Sequence, residues 1–146
     1  AGALATGLEA VAEAGLSDRI TGIAWDFLSE ITAVPESPYD VVLLFNIVHG
    51  LSPEQNVTLL RRLAAAMPSG GVLAVLEPLD EPPSSGSVTA DAFYKVFSLN
   101  PFHGQGGRTT AYGALCEWLG AAGFGEIRRH ALRPDLNDRL ILATRR

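Results

Sequence analysis

At 146 residues the chain is long enough for one domain with its own core. An apolar fraction of 47% against 18% charged excludes a disordered segment. A net charge of -5 without a basic cluster argues against a nucleic-acid partner, which needs a cationic face to replace counterions.

Ala3 to Ala14 is rich in Ala and Glu, with Leu4, Leu8, Val11 and Ala12 at helical spacing, and Gly15 reads as its C-cap. Arg19 to Trp25 follows as a short strand. The run "YDVVLLFNI" is apolar without alternation, which predicts a parallel strand buried on both faces. Asn46 and His49 stand at the end of that run, polar groups among hydrophobic neighbours. A helix then starts: Ser52 as N-cap, Pro53 at N1 and Gln55 completing a capping box. Leu60, Leu63, Ala64 and Met67 mark its apolar face. Pro68 to Gly71 is a turn, and "VLAVLEP" is a second buried strand ending at Glu77. The Gly70-Gly71 pair follows a helix and precedes a strand, the reverse of a dinucleotide loop.

Asp80 to Ser87 is a loop rich in Pro, Ser and Gly. Ala90 to Leu99 reads as a helix carrying Phe93, Tyr94 and Phe97, and "NPFHGQGG" as another loop. Thr109 or Thr110 is expected to cap a helix through Gly120, ended by Gly123, with Tyr112, Leu115, Cys116 and Leu119 on one face. "EIRRHAL" and "RLILATR" form a final pair, joined too briefly for a parallel crossover and so antiparallel. Arg128-Arg129 and Arg145-Arg146 read as solvated strand ends. Strands alternating with helices predict an α/β fold with a mainly parallel sheet.

Cys116 is the lone cysteine, so neither an intrachain disulfide nor a Cys-based zinc site is available. His49, His103 and His130 lack metal-ligand spacing. No apolar run approaches the roughly 18 residues that cross a bilayer. No secretory signal opens the chain. The expectation is a cytoplasmic protein without a membrane partner. The chain opens at Ala1 inside a helical pattern, which predicts a piece of something longer.

The series "GLSDRITGIAWDF", "YDVVLLFNIVH", "LLRRLAAAMPSGGVLAVLEP", "GRTTAYGALCEWLGAAGF" and "LILATR" resembles the C-terminal part of class I S-adenosylmethionine (SAM)-dependent methyltransferases. It is most similar to the O-methyltransferases of plant caffeate type and their bacterial relatives. The resemblance runs over residues 1–146 and implies a partial catalytic domain with a Rossmann-like sheet, mostly parallel, closed by an antiparallel C-terminal hairpin. The family's sheet order is 3-2-1-4-5-7-6, its cofactor is SAM, and it forms homodimers acting on small-molecule acceptors. Its first two strands, its glycine-rich SAM loop and its helical dimerisation domain have no counterpart here. An unpaired apolar edge would then make the isolated chain marginally stable or prone to aggregate.

The resemblance also implies site residues. Asp26 and Phe27 match an Asp-Phe pair that meets the adenine amine and ring; alternatively they are a turn Asp and a core Phe. Trp25 stands where the family usually has Gly. Asn46 would line the SAM pocket or simply satisfy a strand end. His49 matches the family's general base, and Glu77 the acidic residue that orients it; the alternatives are a structural His and a solvated Glu. The Asp and Trp that follow the family's His are Gly50 and Leu51 here, and a further family Glu is Gly107. Phe97, Asn100 and His103, with Phe93 and Phe102, fall where the family builds its acceptor pocket, though Phe93 and Phe97 also fit a helix's core face. Three readings stay open: an O-methyltransferase with His49 as base, an N- or C-methyltransferase with structural His49, and a non-catalytic methyltransferase-like binding module.

Overall fold

The computed structural model describes residues 2–29, 34, 38–80, 109–132 and 138–146. They fall into two compact units, Ala1–Glu36 and Ser37–Arg146.

In the first unit, helix α1 spans Gly2–Glu13. It ends as expected at Gly15, whose φ of 67° suits a residue without Cβ. Gly15 N–H donates to Ala12 C=O at 3.0 Å and Leu16 N–H to Val11 C=O at 3.0 Å, which closes the helix in a Schellman turn. Arg19 to Trp25 forms no strand, contrary to its composition. The N–H groups of Arg19 and Ile20 turn back to Leu16 C=O, and Ile20 and Ile23 are exposed. A strand exists only through its ladder, and no described segment pairs with this one.

The second unit is built on a four-stranded sheet in the order β1-β2-β4-β3. The strands are β1 (Val41–Phe45), β2 (Val72–Pro78), β3 (Phe124–Ala131) and β4 (Asp138–Arg145). β1 and β2 run parallel, Val41 opposite Val72, with helix α2 (Pro53–Ala65) as crossover. β4 inserts antiparallel beside β2, and β3 pairs antiparallel with β4. This order reproduces one half of the expected sheet. Among the described strands the parallel pairing is the single one between β1 and β2, so the sheet is mixed. Between Gly125 and Arg128 the β3 register slips, where Glu126 adopts a φ of 47°.

Helix α2 starts as its sequence demands. Ser52 Oγ accepts from Gln55 N–H at 3.3 Å, Gln55 Oε1 accepts from Ser52 N–H at 2.8 Å, and Pro53 fills the first helical position. Leu59, Leu60, Leu63 and Ala64 are buried. Helix α3 (Tyr112–Ala121) packs on α2 and β3, burying Leu115 and Leu119. Its N-cap is Ala111, without a side-chain bond, and not either threonine. Thr110 instead spends its backbone on a bridge to Leu79, and its C=O accepts from Asp80 N–H at 3.0 Å.

The core lies on the sheet face of Leu73, Val75 and Ile141, fully buried with Leu60, Leu115, Leu119 and Phe124. Each such side chain contributes about 2 kcal/mol by leaving water. Arg145 is no solvated end. Its Nε donates to Ala64 C=O at 2.8 Å and its Nη1 to Gly123 C=O at 3.1 Å, joining the ends of α2 and α3 to β4. Gly123 has a φ of 95°, and a Cβ there would lie 2.9 Å from that Nη1. Arg129 lies over the Tyr112 ring, 4.5 Å from its centroid. β1 is buried on one face only: Leu44 is buried, while Val41, Leu43 and Phe45 are 58%, 64% and 42% exposed.

Two stability measurements follow from this packing. Ser52→Ala, which removes the capping box, should lower unfolding free energy by about 1 kcal/mol, read as a lower denaturant midpoint at unchanged slope. Leu43→Ser should change stability by less than about 0.5 kcal/mol, whereas Val75→Ser should cost about 2–4 kcal/mol in the same assay. A comparable loss at both sites would mean that the outer face of β1 is covered.

Candidate active site

The polar residues after β1 sit where the strand stops. Asn46 N–H still donates to Leu76 C=O at 2.9 Å, the last rung of the ladder. Asn46 then turns the chain with a φ of 54°, a conformation that Asn tolerates better than most side chains. Its side chain is exposed at the carboxyl end of β1, the end where open α/β sheets take their ligands. Ile47 follows, then a 3-10 turn over Val48–Gly50, then the Ser52 cap of α2.

That tight exit leaves the N–H groups of Ile47 and Val48 without ladder partners. The neighbouring strand supplies one. Glu77 Oε1 accepts from Ile47 N–H at 2.7 Å and from Val48 N–H at 2.7 Å. Glu77 Oε2 lies 2.7 Å from His49 Nδ1. The Glu77 side chain is 2% exposed and the His49 side chain 18%. A buried carboxylate is costly unless hydrogen-bonded, and three short donors meet that requirement. With Nδ1–H donating to the carboxylate, the neutral imidazole carries its lone pair on Nε2. In that tautomer the pair could serve as an oriented proton acceptor at the rim of the sheet.

A further residue belongs here that the sequence reading passed over. Asn56 is 1% exposed in α2, and its Nδ2 donates to Val48 C=O at 3.0 Å and to Leu51 C=O at 3.4 Å. Its Oδ1 is buried without a partner among the described residues, which costs about 1–3 kcal/mol. A signal was present: Asn56 falls on the stripe of Leu60, Leu63 and Met67, a polar residue on a helix's core face.

Asp26 and Phe27 lie in the first unit. Asp26 Oδ1 accepts from Leu28 N–H at 3.0 Å, and its C=O from Ser29 N–H at 3.3 Å, so the residue shapes a turn. Phe27 is half-buried, its ring 6.5 Å from that of Trp25. An exposed carboxylate beside a half-buried ring suits an adenine, an amine joined to a flat apolar face. Phe97, Asn100 and His103 lie outside the described residues, as do Phe93, Phe102 and Gly107. Among the described residues no group of three or more His, Cys, Asp or Glu is arranged to hold a metal. No described helix is long and apolar enough to cross a membrane.

The O-methyltransferase domain family matches residues 5–125. A 3-hydroxy-5-methyl-1-naphthoate 3-O-methyltransferase of Streptomyces sahachiroi is 35% identical over 120 residues, covering 82% of this chain and 33% of that protein. An L-tyrosine C(3)-methyltransferase of Streptomyces lavendulae is 33% identical over 116 residues, covering 78% of this chain and 30% of that protein. The solved structure of the S-adenosylmethionine-dependent methyltransferase SibL, in its apo form, matches with a TM-score of 0.82 at 28% identity, over 99% of this chain and 41% of that one. This chain thus spans about a third of the length of the curated relatives it matches. The expected cofactor, S-adenosylmethionine, is the one on which that structural relative depends. Family match, relatives and sheet together establish that the chain belongs to the O-methyltransferase domain family of class I SAM-dependent methyltransferases.

Proposed function

We propose that the protein carrying this chain methylates a hydroxyl group of a small aromatic molecule, with His49 as general base and Glu77 as its orienting partner. The observation that carries the reading is the Glu77–His49 contact of 2.7 Å on a carboxylate whose other oxygen is held by two backbone N–H groups. SAM, when bound, supplies an electrophilic methyl on a sulfonium that departs as a neutral thioether. The acceptor's hydroxyl proton would pass to His49 Nε2, freeing the oxygen to take up that methyl. Glu77 stabilises the imidazolium that results. Asp26 and Phe27 would hold the adenine, and Asn46 would border the cofactor at the end of β1. The 3-O-methyltransferase relative, named for a hydroxynaphthoate, supports an aromatic hydroxyl as acceptor. The family resemblance supports a homodimer, and the composition a cytoplasmic protein without nucleic-acid or membrane partners.

A second reading has its own support. Gly50 replaces the Asp that usually follows the family's His, and one relative is named as a C(3)-methyltransferase. There, carbon or nitrogen is methylated and His49 is structural.

Kinetics on the chain extended upstream to its gene's own start separate the two. His49→Gln should lower kcat/KM by about 10²–10⁴ while S-adenosylhomocysteine affinity stays within about twofold. A loss under tenfold, less than about 1.4 kcal/mol of barrier, favours C- or N-methylation. Glu77→Gln should lower kcat by about 10–100-fold, because an amide cannot accept both from the two backbone N–H groups and from the imidazole. An unchanged kcat in Glu77→Gln would contradict an orienting role.

A further inference from the structure

The turn that carries His49 is gripped at both ends of one residue. Val48 N–H donates to Glu77 Oε1 at 2.7 Å, and Val48 C=O accepts from Asn56 Nδ2 at 3.0 Å. The same Nδ2 reaches Leu51 C=O at 3.4 Å, on the far side of the turn Val48–Gly50. The two carbonyls therefore bracket His49 and share one donor group. Both facing atoms are acceptors, so the amide must present its NH2 to them and its oxygen away. That oxygen is the buried Oδ1 that has no partner among the described residues. A side chain chosen for packing alone would leave no such orphan; the position keeps Asn for its donor end.

We propose that Asn56 is a positioning residue for the proton acceptor: its grip on Val48 and Leu51 holds the 3-10 turn in the shape that brings His49 Nδ1 to Glu77 Oε2. Glu77 fixes the amide side of the turn and Asn56 the carbonyl side. Without Asn56 the turn keeps its own bonds, Gly50 N–H to Ile47 C=O at 3.0 Å and Leu51 N–H to Val48 C=O at 3.2 Å, and its Glu77 anchor, but its carbonyl side loses the hold from α2 that fixes the imidazole's approach. Misplacement of a catalytic group by about 1 Å costs on the order of 10²-fold in rate. For its catalytic consequence the inference rests on His49 acting as base; for the geometry of the turn it does not.

The experiment uses [15N]histidine-labelled protein, extended upstream to its gene's start, with Asn56→Ala compared to wild type. Wild type should show a downfield Nδ1–H resonance for His49, assigned by its absence in His49→Gln. Asn56→Ala should broaden or abolish that resonance and lower kcat by about tenfold or more, with KM for SAM within about twofold. On a His49→Gln background, Asn56→Ala should cause no further loss of kcat. An intact resonance with unchanged kcat would overturn the proposal, and so would equal losses on both backgrounds, the sign of a merely structural role. Should Asn56→Ala not fold, wild type decides: the Asn56 side-chain amide protons should exchange with solvent as slowly as core amides, and rapid exchange would overturn the grip. If His49→Gln itself leaves kcat unchanged, the reading of His49 as base fails, while the resonance still reports whether Asn56 holds the turn.

Discussion

Glu77 is 2% exposed and accepts from Ile47 N–H and Val48 N–H while it meets His49 at 2.7 Å. A carboxylate in that position is tolerable only with its donors in place, and the donors exist only because β1 breaks off where it does. The constraint runs both ways. The strand exit needs an acceptor for two N–H groups, and the buried acceptor needs the exit. One side chain on the neighbouring parallel strand thus holds both the amide side of the turn and the imidazole.

The sheet supplies the register for that contact. Phe45 pairs with Leu76, so Asn46 and Glu77 fall at the same level at the carboxyl ends of two parallel strands. Leu73 and Val75 precede Glu77 on the same face and seal it from below. The capping box of α2 then anchors the chain within a few residues of His49. Asn56, one turn into that helix, reaches back to the same segment. Core packing, helix initiation and the site are one structure here, and disturbing any of them is felt at the imidazole.

What the sequence revealed depended on how local the physics was. The capping box at Ser52 and Gln55 and the glycine end of α1 were legible because every partner lies within a few residues. The Glu77–His49 pair is separated by 28 residues and was reached only through family resemblance. Arg19 to Trp25 has strand-like composition, yet composition cannot provide a pairing partner, and after a turn ending at Arg19 the segment stays irregular. Arg145 looked like a solvated end because its three carbonyl partners come from α2, the α3–β3 turn and its own neighbour. The threonines before α3 do not cap it because Thr110 is engaged with Leu79 and Asp80, just beyond the end of β2. Asn56 carried a local signal, a polar residue on an apolar stripe, whose meaning needed the turn in front of it.

The most direct measurement is the tautomer of His49, read from its two 15N chemical shifts in the neutral form of the wild-type protein. A proton on Nδ1 and an unprotonated Nε2 is the result expected if Glu77 orients a general base. A proton on Nε2 would put no acceptor where the hydroxyl proton must go, and the assignment of His49 as base would be wrong.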